Sequence, residues 1–258
     1  MRIAVKIGGS LLDSPELRRR LAGELAAVSR RTRMVVVHGG GKQMTRFLSE
    51  RGVESRFVEG LRVTTPEVLD AVLKVFAGSV NHELVAAFVA AGAQAVGLTG
   101  IDAALTEAEP LREELGAVGN VIRANPKLLE LLTGGGYLPV VACVAGDRAG
   151  NIYNVNADQM AISCAAAFAA DKLFFLTDVE GVKGKNGFLP VVTPRLCSEL
   201  IADGLVTGGM QAKLNAACRG LSLGIGEVAI VPGAREHVVD ALLQGRQVGT
   251  RLVPEGES

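Results

Sequence analysis

Two glycine-rich turns stand out among the residues that could do chemistry, because each follows an apolar run and precedes a predicted helix. The first is KIGGS, which opens on Lys6, and the second is VVVHGGGK at 35–42. Glycine lets backbone N–H groups approach an anion closely, and the N-terminus of the following helix adds a favourable dipole. Together the turns predict a site for phosphate or carboxylate, although either turn alone is as typical of a structural turn.

Three further polar stretches each lead into a predicted helix. Arg62 lies in EGLRVTTP, in a predicted turn, whereas Asn154, Asn156 and Asp158 lie in NVNADQMA. Lys213 lies in TGGMQAK, about one turn into its helix. Taken singly, these residues are more typical of a surface arginine, a helix-capping cluster and a solvated lysine. Their presence together in one chain, beside the glycine turns, favours a functional site.

Other partial matches to known functional motifs are either incomplete or lie in the wrong structural context. Neither glycine turn completes the Walker pattern or the G-x-G-x-x-G pattern. The G-x-S-x-G match around Ser222 leaves a helix for a strand, which is the reverse of a nucleophile elbow. The H-E-x-x-H pattern that begins at His82 is not completed, because Ala86 stands at its last position. The sequence therefore excludes these four kinds of site.

The composition is that of a globular protein with a substantial core. The 258 residues are 48% hydrophobic and 21% charged, and 27 basic residues balance 27 acidic ones. No global field therefore attracts nucleic acid or an anionic membrane. The four cysteines are too scattered for a zinc site, and the longest apolar run, at 160–170, is shorter than a membrane span. We expect a cytoplasmic protein with reduced thiols and with no nucleic-acid or membrane partner.

Apolar, β-rich runs alternate with helical patterns along the chain. Ser14, Thr65 and Thr193 each precede a proline and predict the starts of helices. The segments 103–124 and 145–155 are too irregular for helices and predict hairpins beside the main sheet. Strands are predicted at 3–7, 34–37, 95–98, 138–144, 172–177, 227–231 and 248–253. This alternation is typical of an α/β protein whose mainly parallel sheet is covered by helices on both faces.

The glycine turns and polar stretches, in this order, resemble the amino acid kinase family. The resemblance covers nearly the whole chain, and its main pieces are KIGG at 6–9, HGGG at 38–41, GLRVT at 60–64, NVNADQ at 154–159 and LTDVEGV at 176–182. It implies a three-layer α/β/α sandwich with a mainly parallel central sheet and small β-hairpins over the acceptor site. It also implies one domain over 1–258, with an acceptor-binding lobe at about 1–170 and an ATP-binding lobe at about 171–258.

The resemblance is strongest to family members that phosphorylate the γ-carboxylate of N-acetyl-L-glutamate with ATP, the second step of arginine biosynthesis. Such an acceptor is already ionised at neutral pH, so the reaction needs no general base. Other acceptors stay open, namely N-succinylglutamate and carrier-linked glutamate or aminoadipate. A non-catalytic regulatory binding module of the same fold is a further alternative. The presence of Lys6, Lys213 and Asp158 favours the enzyme.

By resemblance, Lys6 and Lys213 contact the transferring phosphoryl group, and Asp158 orients both ammonium groups. Backbone N–H groups of the glycine turns are implied as donors to the phosphate and to the acceptor carboxylate. The residues implied in acceptor binding are Gly40, Gly41, Arg62, Asn154 and Asn156. The residues implied in ATP binding are Lys6, Gly8, Gly9, Thr177, Asp178, Gly209, Met210 and Lys213. Mg²⁺ is implied as a cofactor held mainly by the phosphates of ATP, without a protein metal site.

The resemblance also implies a homodimer. Its contact is expected at the helix around 65–78 and the neighbouring sheet edge. Arginine-inhibited members of the family carry an additional N-terminal helix, whereas here the first strand is predicted to begin at residue 2 or 3. We therefore expect a homodimer that is insensitive to arginine.

Overall fold

The central element of the fold is a sheet of eight strands. The computed structural model describes residues 1–256. The strands are β1 (Arg2–Ile7), β2 (Arg33–His38), β3 (Phe57–Val58), β4 (Leu61–Arg62), β5 (Ala95–Thr99), β6 (Thr106–Pro110), β7 (Val118–Ala124), β8 (Leu138–Ala142), β9 (Val144–Gly146), β10 (Ile152–Val155), β11 (Lys172–Thr177), β12 (Lys183–Gly184), β13 (Gly187–Phe188), β14 (Val191–Val192), β15 (Glu227–Pro232) and β16 (Thr250–Leu252). The sheet has the order β14-β16-β15-β11-β1-β2-β8-β5, and its only antiparallel pair in the described residues is β15 with β16.

Helices form a layer on each side of this sheet. They are α1 (Pro15–Ser29), α2 (Gly41–Ser49), α3 (Pro66–Val72), α4 (Asn81–Ala90), α5 (Lys127–Gly134), α6 (Ala157–Ala167), α7 (Pro194–Ala202), α8 (Gly208–Ser222) and α9 (Val238–Leu243). Helix α6 packs on β1 and β2, and α5 packs on β2 and β8, whereas α4 covers β5 and β8 and contacts α1. The central strands are buried along nearly their whole length because both faces are covered. The predicted α/β fold is confirmed.

The predicted helix starts are confirmed in detail. Ser14, Thr65 and Thr193 are N-cap residues, and each side-chain oxygen accepts a hydrogen bond from the backbone N–H three residues later. A proline follows each cap at the first helical position, where a missing N–H costs nothing. These caps fix where the chain turns back along the sheet.

The helix that begins at Pro66 is longer than the sequence predicts. Helix α3 continues through a π-helical segment, Leu73–Val80, directly into α4, so that one helix spans Pro66–Ala90. By length and composition this helix could cross a membrane, but the core helix of a soluble protein passes the same test. Its buried side chains, which include Val72, Phe76 and Leu84, pack in the core beside the sheet.

The two predicted hairpins are present, and they also pair with each other. Strands β6 and β7 form one antiparallel hairpin and β9 and β10 form the other. Parallel pairing of β10 with β7 and of β6 with β9 closes the four strands into a small barrel. The strand predicted at 138–144 is divided at Cys143 into β8 of the main sheet and β9 of this barrel. All four cysteines are free thiols, as expected.

Candidate active site

The two glycine turns meet at the carboxyl ends of β1 and β2. A Cβ atom built on Gly9 would lie 3.1 Å from the backbone nitrogen of Gly41, so the two backbones are almost in contact. Gly9 opens a 3-10 turn and Gly41 opens α2, so their N–H groups have no acceptor within those helical segments. The meeting point of the turns therefore offers backbone donors to an anion.

Gly8 has a different role from the one expected. Its N–H group donates to the carbonyl oxygen of Leu176 at 2.9 Å, so it is not free to bind phosphate. A Cβ atom on Gly8 would lie 3.0 Å from the same oxygen. Gly8 thus allows close packing of β1 against β11, and the predicted donation of its N–H to phosphate is wrong for this structure.

Asp158 lies between the two lysines that the sequence singled out. Its Oδ1 atom is 2.8 Å from the Lys6 Nζ atom, and its Oδ2 atom is 3.3 Å from the Lys213 Nζ atom. Lys6 comes from β1, Asp158 from the first turn of α6, and Lys213 from α8, so three separate elements build the cluster. Burial disfavours the charged carboxylate, but the two lysines together outweigh burial and hold the pKa of Asp158 below its usual value. The cluster therefore carries a net positive charge beside the glycine turns.

Arg62 is fixed by polar contacts on several sides. Its guanidinium group donates to the Gly41 carbonyl oxygen at 3.2 Å and to the Thr45 hydroxyl at 2.8 Å, and it also contacts the Ser55 hydroxyl. The guanidinium carbon lies 4.6 Å from the centre of the Phe57 ring. Burial lowers the pKa of Arg62. The residue lies in the short strand β4 and not in the turn that the sequence predicted.

Two adjoining cavities open at this point. The outer cavity, of about 670 Å³, is lined by Gly9, Gly41, Lys42, Thr45, Arg62 and Asp178, among others. The inner cavity, of about 160 Å³, is lined by Gly40, Arg62, Phe76, Cys143, Asn154 and Asn156, among others. The two cavities share Gly41, Phe57 and Arg62. All five residues implied in acceptor binding therefore surround one continuous region.

The two asparagines are held by separate contacts. The Asn154 side chain donates to the Thr64 hydroxyl at 3.0 Å. Asn156 is the N-cap of α6, and its side-chain oxygen accepts from the backbone N–H groups of Asp158 and Gln159. Asn156 is thus a helix cap and a cavity residue at once, and its amide N–H₂ group stays available to a ligand.

The remaining residues predicted to bind ATP lie at the end of β11 and at the start of α8. Thr177 ends β11, and its hydroxyl donates to Asp178 at 3.2 Å. Although burial raises the pKa of Asp178, hydrogen bonds and the charge of Lys42 lower it overall. Gly209 and Met210 lie in the first turn of α8, one turn before Lys213, and line neither of the two cavities. Their role in ATP binding stays a prediction.

A buried histidine beneath the second turn was not identified as important from the sequence. His38 ends β2 and is fully buried, and its ring nitrogens lie within hydrogen-bonding distance of the Gly39 carbonyl and the Asn81 side chain. Desolvation lowers the pKa of His38 from 6.5 to about 4, so its ring is neutral at neutral pH. Asn81 lies 43 residues further along the chain, and no local sequence pattern connects the two residues.

Because His38 is buried in its neutral form, we expect the folded protein to lose stability in mild acid. Because the pKa is about 4 when folded and near 6.5 when unfolded, the unfolded chain binds the extra proton in that window. The stabilisation is complete above pH 6.5, and about 3 kcal/mol of it is lost as the pH falls to 4. Urea unfolding across this range measures the effect, and His38→Asn, which removes the titrating group, is the control. An equal slope for both proteins would contradict the assignment.

The amino-acid sequence matches a family model and two named relatives over most of its length. Residues 1–232 match the model of the amino acid kinase family. An acetylglutamate kinase of Solibacter usitatus is 59% identical over 255 residues, covering 98% of this chain and 99% of that protein. An acetylglutamate kinase of Koribacter versatilis is 41% identical over 261 residues and has the same coverage of both chains.

A solved structure extends the likeness to the fold. N-acetylglutamate synthase of Neisseria gonorrhoeae, solved with coenzyme A and N-acetyl-glutamate, superposes with a TM-score of 0.87 at 22% identity. The match covers 99% of this chain and 60% of that longer one, and it supports the fold alone. The sequence matches extend over almost the whole length of both curated relatives, so the chain belongs to the amino acid kinase family, within the group of the acetylglutamate kinases.

Proposed function

We propose that the protein transfers the γ-phosphoryl group of ATP to the γ-carboxylate of N-acetyl-L-glutamate, giving N-acetyl-L-glutamyl 5-phosphate for arginine biosynthesis. The observation that carries the proposal is the cluster that buried Asp158 and Lys6 form with the partly buried Lys213. Phosphoryl transfer requires positive charge placed around the moving group more than any covalent chemistry by the protein. The relatives at 59% and 41% identity, both acetylglutamate kinases, support the choice of acceptor.

The reaction needs no proton to be removed. A γ-carboxylate oxygen attacks the γ-phosphorus of ATP, the bond to the β,γ-bridging oxygen breaks, and ADP leaves with that bond's electron pair. Lys6 and Lys213 stabilise the negative charge on the transferring and bridging oxygens, and the N–H groups of Gly9 and Gly41 add dipoles that are already oriented. The lone carboxylate of the cluster, Asp158, keeps the two ammonium groups apart and directed at the same point.

The other end of the acceptor fits the inner cavity. Arg62 pairs with the α-carboxylate, since its planar fork suits two parallel hydrogen bonds. Asn154 holds the same end of the acceptor as Arg62, whereas Asn156 reaches the acyl amide. Gly40 allows the acceptor to approach the backbone. In the second lobe, at about 171–258, Thr177, Asp178, Gly209 and Met210 bind ATP together with Gly9 and the two lysines.

Mg²⁺ supplies charge neutralisation on the ATP phosphates when it is bound. No group of three or more His, Cys, Asp or Glu side chains arranged for a metal occurs within residues 1–256. Mg²⁺ in kinase sites usually keeps several waters and binds substrate phosphates with one or two carboxylates, and it needs no dedicated cage of protein ligands. Each oxygen of Asp158 pairs with one of the two lysines, Lys6 or Lys213. This carboxylate therefore orients the lysines and is not assigned to a metal ion.

Hydroxylamine trapping of an acyl phosphate tests the proposal directly. Purified protein, ATP and Mg²⁺ are incubated with N-acetyl-L-glutamate, N-succinyl-L-glutamate, glutamate or no acceptor. We expect a hydroxamate signal with the acetyl compound and little with the others. A signal with N-succinyl-L-glutamate alone would keep the chemistry and change the acceptor. Silence with every acceptor would overturn the proposal and favour a carrier-bound acceptor or a regulatory binding module.

We also propose a homodimer formed through the long helix Pro66–Ala90 and strand β5. This helix is apolar on average, and its Val89 side chain is 54% exposed at the end of α4. Strand β5 is the last strand of the central sheet and pairs with β8. A second copy of the chain would cover both the exposed apolar side chain and this edge of the sheet.

The dimer predicts a specific response to charge. Val89→Arg is expected to shift the protein from dimer to monomer in light scattering coupled to size-exclusion chromatography, because a buried unpaired charge opposes association. Phe188→Arg is the control, since Phe188 is similarly exposed, at 56%, but lies on the β12–β13 hairpin. The interface is misplaced if Val89→Arg stays dimeric or if Phe188→Arg dissociates equally.

A further inference from the structure

We propose that His38 and Asn81 are positioning residues for phosphoryl transfer, which hold the glycine turn (residues 39–41) in its reactive conformation from below. Neither residue lines the outer or the inner cavity. Both therefore act through the turn and not on the substrate. The inference rests on the proposed function, because that function places the N–H groups of this turn at the reacting atoms.

The contacts of His38 fix both the orientation and the tautomer of its ring. The Nδ1 atom lies 2.8 Å from the carbonyl oxygen of Gly39, and the Nε2 atom lies 2.9 Å from the side-chain nitrogen of Asn81. A carbonyl oxygen can only accept and an amide nitrogen can only donate, so Nδ1 carries the proton and Nε2 accepts. Only one tautomer satisfies both contacts, and this tautomer ties the peptide of Gly39 to the end of β2.

Asn81 anchors this contact to the sheet. Its side-chain nitrogen also donates to the carbonyl oxygen of Val140 at 3.0 Å, on strand β8. Its side-chain oxygen lies against β5, where a Cβ atom on Gly97 would approach to 2.1 Å. Asn81 is 2% exposed, so each of these contacts is shielded from water. The glycine turn follows β2, and Asn81 thereby connects it to β8 and β5 as well.

The π-helical segment Leu73–Val80 directly precedes Asn81 and packs against the same turn. A Cβ atom on Gly40 would lie 2.9 Å from the Phe76 ring and 3.3 Å from a methyl group of Val80. π-Helical segments are rare and occur frequently at functional sites. Phe76 and Val80 thus fix the turn by packing, while Asn81 and His38 fix it by hydrogen bonds. Such support is what a preorganised site needs, since small displacements cost much of the rate.

Comparison of Asn81→Leu with Thr133→Val separates an effect on the position of the glycine turn from a general loss of folding stability. Thr133 is also a buried polar residue, and its hydroxyl donates to Leu129 within α5, away from both cavities. In Asn81→Leu we expect kcat to fall by about 10²-fold, with KM for ATP changed by less than about 3-fold, because misplaced donors weaken only the transition state. Thr133→Val is expected to lose stability and to keep kcat. Hydrogen exchange of residues 39–41 should rise in the first variant only.

A second variant covers the case in which Asn81→Leu does not fold. His38→Asn keeps a side-chain N–H near the position of Nδ1 and removes the acceptor for Asn81. His38→Asn alone should therefore also lower kcat by about 10²-fold with KM for ATP changed by less than about 3-fold, and an unchanged kcat would overturn the inference. Where both single variants fold, the double variant should lose no more kcat than the more damaged single variant. Additive losses, or equal exchange in Asn81→Leu and Thr133→Val, would overturn the inference. A wild-type protein that forms no acyl phosphate overturns the proposed function and this inference together, whereas an active wild type with unchanged Asn81→Leu overturns the inference alone.

Discussion

Lys6→Ala is expected to lower kcat by about 10³-fold or more, because it removes a cation aimed at the transferring phosphoryl group. The Lys6 side chain is 9% exposed and is held by a carboxylate of similar burial, so water cannot replace the lost charge effectively. The kcat and kcat/KM values should fall together, since the interaction is made mainly in the transition state. Steady-state acyl phosphate formation measures both quantities.

The same variant is expected to keep its fold, because Asp158 retains its ion pair with Lys213. Lys172→Ala is a close control for this point. Lys172 pairs with Glu227 at 3.3 Å, and Glu227 retains a second partner, Arg251, after the change. Both variants should unfold at similar urea concentrations, and only Lys6→Ala should lose activity. Comparable activity in the two variants would exclude Lys6 from the reaction.

Arg62→Ala is expected to raise KM for the acceptor by about 100-fold while changing kcat much less. A charge-assisted, bidentate contact with a carboxylate contributes about 1.5–3 kcal/mol, and it is made equally in the ground state and in the transition state. Arg62→Lys, which keeps the charge and loses the fork, should give an intermediate KM. KM for ATP should stay near its wild-type value, because Arg62 is not among the residues proposed to bind the nucleotide.

Arg51→Ala controls for the loss of an arginine that stacks on a phenylalanine ring, as Arg62 also does. The Arg51 guanidinium lies 3.5 Å from the centre of the Phe47 ring, and its side chain is 53% exposed outside both cavities. Its removal should leave KM for the acceptor unchanged. If Arg62→Ala behaved like Arg51→Ala, the α-carboxylate would bind elsewhere and the placement of Arg62 would be wrong.

Local patterns were sufficient to predict seven of the eight strands of the main sheet and most of the other elements, but not the two-residue edge strand β14. The run at 172–177 reads as one continuous apolar strand, and β11 has those bounds. The cap at Thr65 is equally local, because an N-cap acts within one helical turn. The polar stretches were located correctly for the same reason: each lies where a strand or loop meets a helix.

Long-range contacts are what the sequence could not predict. The His38–Asn81 contact joins residues that share no motif, and the π-helical segment before Asn81 has no recognised sequence signal. Closure of two hairpins into a barrel depends on the parallel pairing of β7 with β10, which separate hairpin signals do not encode. The N–H group of Gly8 was assigned to phosphate because a glycine in a turn indicates that another group approaches the backbone closely. The sequence does not indicate which group, and in the structure it is the Leu176 carbonyl oxygen.

The central claim is that a γ-carboxylate oxygen of the acceptor attacks the γ-phosphorus of ATP at the cluster of Lys6, Asp158 and Lys213. The most direct test uses N-acetyl-L-glutamate labelled with ¹⁸O in its γ-carboxylate, with the acyl phosphate product observed by ³¹P NMR. The account predicts an isotope shift from ¹⁸O in the bridge between carbon and phosphorus, and no such product from Lys6→Ala under the same conditions. A phosphorylated product without ¹⁸O on phosphorus would contradict the account.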